Sequence, residues 1–362
     1  MELAGPELRV GRLSEFADTE LKLGHECVIS GEPSVAAGGS SSERFYVGHG
    51  ALGASAEAAR AAAAADKFNF ATVVAPGALL HIKGAQLITL QVVECGGVVP
   101  GQEISDKEIR CTVIRPGRLG SRARVFPAPD IVSGLPSLSD QDFDDLGWAV
   151  NTGSDFIILP CVRNAKQLAR ARAAIKQVCA ETGEQVHLLA KIENADAVTN
   201  FDEILDASDG LVLARDELEI ELGAIKAALV QKMAMAKAKS CGKPMVCTGL
   251  LGSMANRRGG PSTILESSGK GPGEPPALNR NEASDVLNSI LDGTDSLLLT
   301  AETSVGLWPV EAINRLHTIC VESEGIIDGA AISRQLRAEC NAPRLSQEAV
   351  AVAAVRFLHC FA

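Results

Sequence analysis

From about Asp155 onward the chain repeats one unit: a short apolar run, a polar residue that closes it, and a segment of helical length with one apolar face. Few folds accommodate that pattern. The runs 156–162, 186–192, 210–214, 244–247 and 296–299 are nearly all apolar, as strands of a parallel sheet covered on both faces must be. Helices fill the intervals. Gly242-Lys243-Pro244 stops one of them, and Asp292-Gly293 stops the segment 286–291. The order β, α, β, α predicts an α/β fold on parallel strands.

Ahead of this repeat, residues 10–128 have a different texture. Short β-like pieces at 87–93 and 109–114 are separated by glycine and proline turns, which predicts a separate β-rich domain. The alanine-rich stretch 58–65 is of low complexity and reads as a helical insertion in a loop. Residues 256–279 carry Gly, Pro and Ser without an apolar period, which predicts a loop. Past Ile332 the chain turns helical again, and 348–358 reads as the first helix of a further unit.

A chain of 362 residues can bury a large core. Its net charge of −11 argues against nonspecific binding to nucleic acid or to anionic membranes. Ten cysteines are scattered with no Cys-x-x-Cys, which argues against a zinc or disulfide framework and fits a reducing, cytoplasmic compartment. No apolar run of membrane-spanning length and no secretory start are expected from the sequence.

In parallel α/β barrels catalytic groups sit at the carboxyl ends of the strands. The residues closing the runs are therefore the candidates: Arg163, Lys191 with Glu193, Arg215 with Asp216 and Glu217, Thr248, and Thr300 with Glu302. Alternation along a strand sends Lys191 and Glu193 to the same face. Cations, carboxylates and hydroxyls together suit an anionic substrate held through a divalent metal such as magnesium. Taken singly, each has a plainer reading. A Lys-x-Glu is more often a surface ion pair, 215–217 equally opens a helix with acids at its N-terminus, and Thr248 equally caps one.

At these positions the chain resembles the pyruvate kinase family. Leu188-Leu189-Ala190-Lys191-Ile192-Glu193-Asn194 is similar to the family's active-site signature, and further similarity lies in Leu135-Pro136-Ser137-Leu138-Ser139, Ser208-Asp209-Gly210, Ala283-Ser284-Asp285-Val286, Leu291-Asp292-Gly293-Thr294-Asp295, Glu302-Thr303 and Trp308-Pro309-Val310-Glu311-Ala312. Gly5-Pro6-Glu7-Leu8-Arg9 resembles the segment leading from the third barrel strand into the lid. The resemblance implies an (β/α)8 barrel, incomplete here, with an inserted β-rich lid and the start of a C-terminal α/β domain. Its divisions would be 1–9 barrel stub, 10–128 lid, 129–335 barrel units and 336–362 the opening of the C-terminal domain.

The implied reaction is the last step of glycolysis, moving phosphate from phosphoenolpyruvate to ADP to give pyruvate and ATP. Carried across, Lys191 neutralises the transferring phosphoryl group and Thr248 sits by the enolate carbon that takes a proton. Glu193, with Glu217 or after a one-residue slip Asp216, binds Mg²⁺, and Asp216, Glu217 and Thr248 line the substrate. Arg9 and either Arg122 or Arg124 meet the nucleotide. K⁺ is a family cofactor, but its Asp-Thr ligands fall on Glu2-Leu3, so one oxygen is lost. A homo-oligomer is the family habit.

Several positions depart from the family. Arg215-Asp216-Glu217-Leu218-Glu219 lacks two glycines whose backbone amides hold the substrate carboxylate, and Glu219 adds negative charge. Pro160-Cys161 replaces Ser-Phe, and Gly249 replaces a glutamine. Five runs plus a stub are fewer than the eight strands a closed barrel needs, so a truncated copy or incomplete gene model with little turnover is expected. Two further readings are a non-catalytic regulatory subunit paired with a full-length homologue and a Mg²⁺-dependent aldolase or lyase acting on pyruvate enolate.

Overall fold

A computed structural model describes residues 1–13, 19–38, 40–49, 69–83, 87–99, 102–126, 138–182, 185–255, 275–332, 334 and 346–361. The alanine-rich stretch 58–65, most of the expected loop at 256–279, and residues 135–137 lie outside the described residues.

Among the described residues two large hydrophobic cores form, one for each sequence texture, beside a small cluster of Ala36 and Tyr46. The first belongs to antiparallel-rich strands β1 (Leu8–Val10), β2 (Thr19–Leu21), β3 (Glu26–Ser30), β4 (Arg44–His49), β5 (Leu79–Lys83), β6 (Leu87–Val99), β7 (Gln102–Arg115), β8 (Gly117–Leu119) and β9 (Arg124–Phe126). Among the described residues, seven of them close a small barrel in the order β1-β4-β3-β7-β6-β5-β9, sealed by antiparallel pairing of β1 with β9. Closure removes the free edges that an open sheet would present. Alternation fills the interior with Val10, Ile29, Phe45, Leu80, Ile82, Ile88, Leu90 and Val113. Leu8 and Arg9, at the end of the segment 1–9, pair within this barrel.

The second core surrounds a parallel sheet of β10 (Phe156–Leu159), β11 (His187–Ile192), β12 (Gly210–Ala214), β13 (Met245–Thr248) and β14 (Ser296–Leu297), neighbours in chain order. Every residue of β12 is buried, as both-sided cover requires. Helices α1 (Asp140–Asn151), α2 (Ala165–Thr182), α3 (Phe201–Ala207), α4 (Arg215–Leu222), α5 (Ala224–Ser240), α6 (Arg280–Asp292) and α7 (Pro309–Glu324) follow or connect the strands, and α8 (Ser346–Phe361) comes last. None is long and apolar enough to cross a membrane. Two strands are shorter than expected. β10 stops at Leu159, because Pro160 has no N–H to pair and Cys161 turns to φ 54°. β14 spans only two residues of the expected four.

The chain start joins this sheet. Glu2 bridges Ile158 in parallel, the Leu3 N–H donates to Ile158 O at 3.1 Å, and the Ile158 N–H donates to Met1 O at 2.7 Å. Gly5 then turns at φ +66° against Pro160, leaving no room for a Cβ. Its N–H donates to the buried Asp142 carboxylate at 2.9 Å, while the same side chain closes the capping box of α1 with Ser139. One carboxylate thus fastens the chain start and a helix N-terminus. Asp142→Ala removes the cap and strands the Gly5 N–H, so a loss of roughly 2–4 kcal/mol is expected, read as a lower urea midpoint with unchanged slope.

Candidate active site

The carboxyl ends of β11 and β12 face the start of β9 and the end of β5 from the small barrel, and their charged residues meet. Lys191, the fifth residue of β11, and Glu193, just beyond it, lie 3.2 Å apart from Nζ to Oε2. The same face receives both, as alternation requires. Glu193 is almost wholly buried, at 1% exposure, and both its oxygens are engaged. The Cys161 N–H donates to Oε1 at 2.6 Å, and Arg124 Nη1 donates to Oε2 at 2.9 Å. Cys161 can aim that N–H only because its backbone has left the strand conformation.

From the first turn of α4, just past β12, come Asp216 and Glu217. Lys83, the last residue of β5, reaches Glu217 at 2.9 Å and Asp216 at 3.3 Å. Arg124 also lies 3.9 Å from Glu217 and 3.1 Å from Glu7, and its guanidinium sits over the Phe126 ring, 4.7 Å from the centroid. Glu2 holds the far side of Lys191 at 2.8 Å. Gly249, at φ +73°, lies so close to Asp216 that a Cβ there would overlap the Asp216 carboxylate.

This packing decides the protonation states. Burial pushes the Glu193 carboxyl up, but Arg124, Lys191 and the Cys161 N–H outweigh it and hold the group well below the usual carboxylate range. Burial likewise raises Glu217, and Lys83 and Lys191 reverse it. For Lys191 burial favours the neutral amine, yet Glu193, Glu217 and Glu2 keep the ammonium and lift it above the usual lysine range. Lys83 follows the same logic through Glu217 and Asp216. Glu193, Glu217, Lys191 and Lys83 are thus held in their charged forms, and the site can present a cation to an anionic group beside carboxylates able to share a second cation.

Other expected site residues are placed differently. Thr248 closes β13, buried, with its hydroxyl 3.5 Å from Leu213 O, and takes no part in the bonds above. Arg9 pairs with Glu7 and donates to Arg122 O at 2.9 Å, while Arg122 takes a left-handed φ of 63°. Arg124, expected at a nucleotide phosphate, spends its guanidinium on three carboxylates. Arg215 pairs with Asp285 at 3.0 Å. Glu302 ties two loops, accepting from Thr300 N–H at 2.8 Å and Leu251 N–H at 3.4 Å. Lys83 and Glu7 are not foreseeable from sequence, because each sits in an ordinary β-strand or turn context and only the packing of two units brings it to the site.

The family model "Pyruvate kinase, barrel domain" matches residues 1–313. Human "Pyruvate kinase PKLR" is 32% identical over 358 residues, covering 98% of this chain and 53% of the human protein. "Pyruvate kinase" of Agaricus bisporus is 30% identical over 357 residues, 98% of this chain and 57% of its own length. "Pyruvate kinase, cytosolic isozyme" of Nicotiana tabacum is 31% identical over 360 residues, 98% of this chain and 60% of its own. The chain spans a little over half the length of these curated relatives.

Because the folded-state values of Glu193 and Glu217 are depressed, their stabilisation is complete above the ordinary carboxylate range and is lost as pH falls through it toward the folded values. Lys191 and Lys83 are raised, so theirs is lost only as pH climbs past the usual lysine range. The urea midpoint should hold between about pH 6 and 8 and fall below about pH 4.5. Glu193→Gln leaves Arg124 and Lys191 buried beside a neutral amide, so it should cost roughly 3–5 kcal/mol at pH 7 and flatten the acid limb.

Proposed function

The chain belongs to the pyruvate kinase family, and on that premise we propose that its site serves transfer of phosphate from phosphoenolpyruvate to ADP, yielding pyruvate and ATP. The observation that carries this reading is the pair at the end of β11: a buried ammonium, Lys191, 3.2 Å from a buried carboxylate, Glu193, with Glu217 of the adjoining strand end in the same cluster. Phosphoryl transfer is catalysed mainly by positioning and by neutralising charge on the transferring group. Lys191, kept protonated by its three acids, supplies that charge from a rigid strand end. Thr248 stands at the next strand but one, where a hydroxyl would serve protonation of the enolate carbon. Arg9 and Arg122 form the nucleotide side, since Arg124, the alternative to Arg122, is held by Glu7, Glu193 and Glu217.

Magnesium would be held by Glu193 with Glu217, or Asp216 beside it. The donor chemistry fits: one guanidinium nitrogen, Arg124 Nη1, already lies 2.9 Å from Glu193 Oε2 and 3.9 Å from Glu217 Oε1, so the two acids can share a cation, and Mg²⁺ commonly takes one or two carboxylates plus substrate oxygens and water. When bound, the ion supplies further neutralisation of phosphate oxygens. Potassium does not fit the corresponding place, since Leu3 is buried in the core without a side-chain oxygen and Glu2 is already paired with Lys191.

On the same reading the parallel sheet with its Glu2 bridge is part of an eight-stranded (β/α) barrel, the small closed barrel is a lid, and α8 opens a C-terminal α/β domain. The protein works in the cytoplasm as a homo-oligomer. Turnover by this chain is expected to be slow, because α4 begins at Arg215 with Asp216 and Glu219 in place of glycines and offers an anionic substrate little backbone amide contact. A coupled assay with phosphoenolpyruvate, ADP, Mg²⁺ and K⁺ should detect slow pyruvate formation that Lys191→Met lowers by about 100-fold. Formation that survives this substitution unchanged would remove the assignment.

A further inference from the structure

We propose that Arg124 and a divalent cation compete for the same two carboxylates, Glu193 and Glu217, so that the ion enters only as the β9 arginine withdraws. The inference rests on the reading of these acids as the metal pair. A magnesium ion binds its oxygens at about 2.0–2.1 Å in near-octahedral array. To touch Glu193 Oε2 and Glu217 Oε1 it must come into the space that Arg124 Nη1 holds, 2.9 Å and 3.9 Å from those atoms. The other Glu193 oxygen is less open to the ion, because the Cys161 N–H already donates to it at 2.6 Å. Lys83 on Glu217 Oε1 at 2.9 Å and Lys191 on Glu193 Oε2 at 3.2 Å crowd the same oxygens with further positive charge.

Proton loss cannot clear the space. A guanidinium stays charged in proteins, and the acids around Arg124 hold it there more firmly still. The exchange must therefore be movement of the side chain or of the strand that carries it. Arg124 has somewhere to go: Glu7 at 3.1 Å and the Phe126 ring belong to neither metal ligand. Leaving Glu193 and Glu217 thus does not create an unpaired buried charge on the arginine, which would be prohibitive. β9 closes the small barrel against β1 and β5. Occupancy of the cation site is in this way coupled to how closely the small barrel rests on the sheet ends, and the coupling is reciprocal.

Mn²⁺, a hard oxygen-seeking stand-in for Mg²⁺, is titrated into the full chain while the free ion is followed by its paramagnetic resonance signal. Arg124→Gln should bind one Mn²⁺ about tenfold or more tighter than the unaltered chain. Arg124→Lys, which keeps a cation there, should remain within about threefold of it. Equal affinity in the unaltered chain and Arg124→Gln, with binding abolished by Glu193→Gln, overturns the competition and leaves the metal pair standing. Binding in Arg124→Gln that survives a second change, Glu193→Gln, instead overturns the assignment of the pair. No saturable binding in either chain overturns both. Amide exchange tests the competition without any variant: saturating Mn²⁺ should raise exchange across β9 and leave β12 unchanged, and an unaltered β9 at saturation contradicts the competition.

Discussion

A carboxylate with 1% of its surface exposed must be compensated on every side, and Glu193 is such a group. Meeting that demand organises much of the molecule. It draws the Cys161 N–H out of strand geometry, fixes Lys191 beside it on the same face, and requires a guanidinium from a separate barrel. Arg124 then needs more acid than Glu193 alone supplies and recruits Glu7, while Lys191 takes Glu2. The chain start, two parallel strand ends and the last strand of the small barrel are bound together by one buried charge and its partners.

Much of the parallel half is legible from pattern. Apolar runs ended by polar residues mark where each strand stops, and period-two alternation puts Lys191 and Glu193 on one side. One strand over, Asp216 and Glu217 follow only as the polar residues that come after the apolar run. The closed form of the small barrel is less visible, because antiparallel pairing partners such as β1 and β9 are more than a hundred residues apart and nothing local encodes their register. For the same reason Leu8 and Arg9 look in sequence like a continuation of the chain start, while their strand partners lie in the barrel. Arg124 stands out in the sequence by its charge alone. Its partners cannot be named from there, since a basic residue at a strand start is attracted equally to ligand phosphate and to protein carboxylate until the packing is known.

The cluster divides its charges by origin. Carboxylates come mainly from the parallel sheet and the segment leading out of it, and two of the three principal cations, Lys83 and Arg124, come from the small barrel. Such a join is strong where it is dry and weak where water reaches it. Glu193 and Arg124 are well covered, at 1% and 14% side-chain exposure, whereas Asp216 at 43% and Lys83 at 34% meet solvent. The Asp216 contact is therefore the part most open to salt screening, and the Glu193 contact the part least affected by it.

The close approach of Gly249 to Asp216 carries an evolutionary consequence. One position has no side chain because the other's carboxylate fills its place, and the backbone there has a hand that residues with a side chain resist. Position 249 cannot gain a side chain while the carboxylate at 216 stays where it is. Lineages that place any larger residue at 249 should also have altered 216, and the two columns should covary although they lie on different strands' connections.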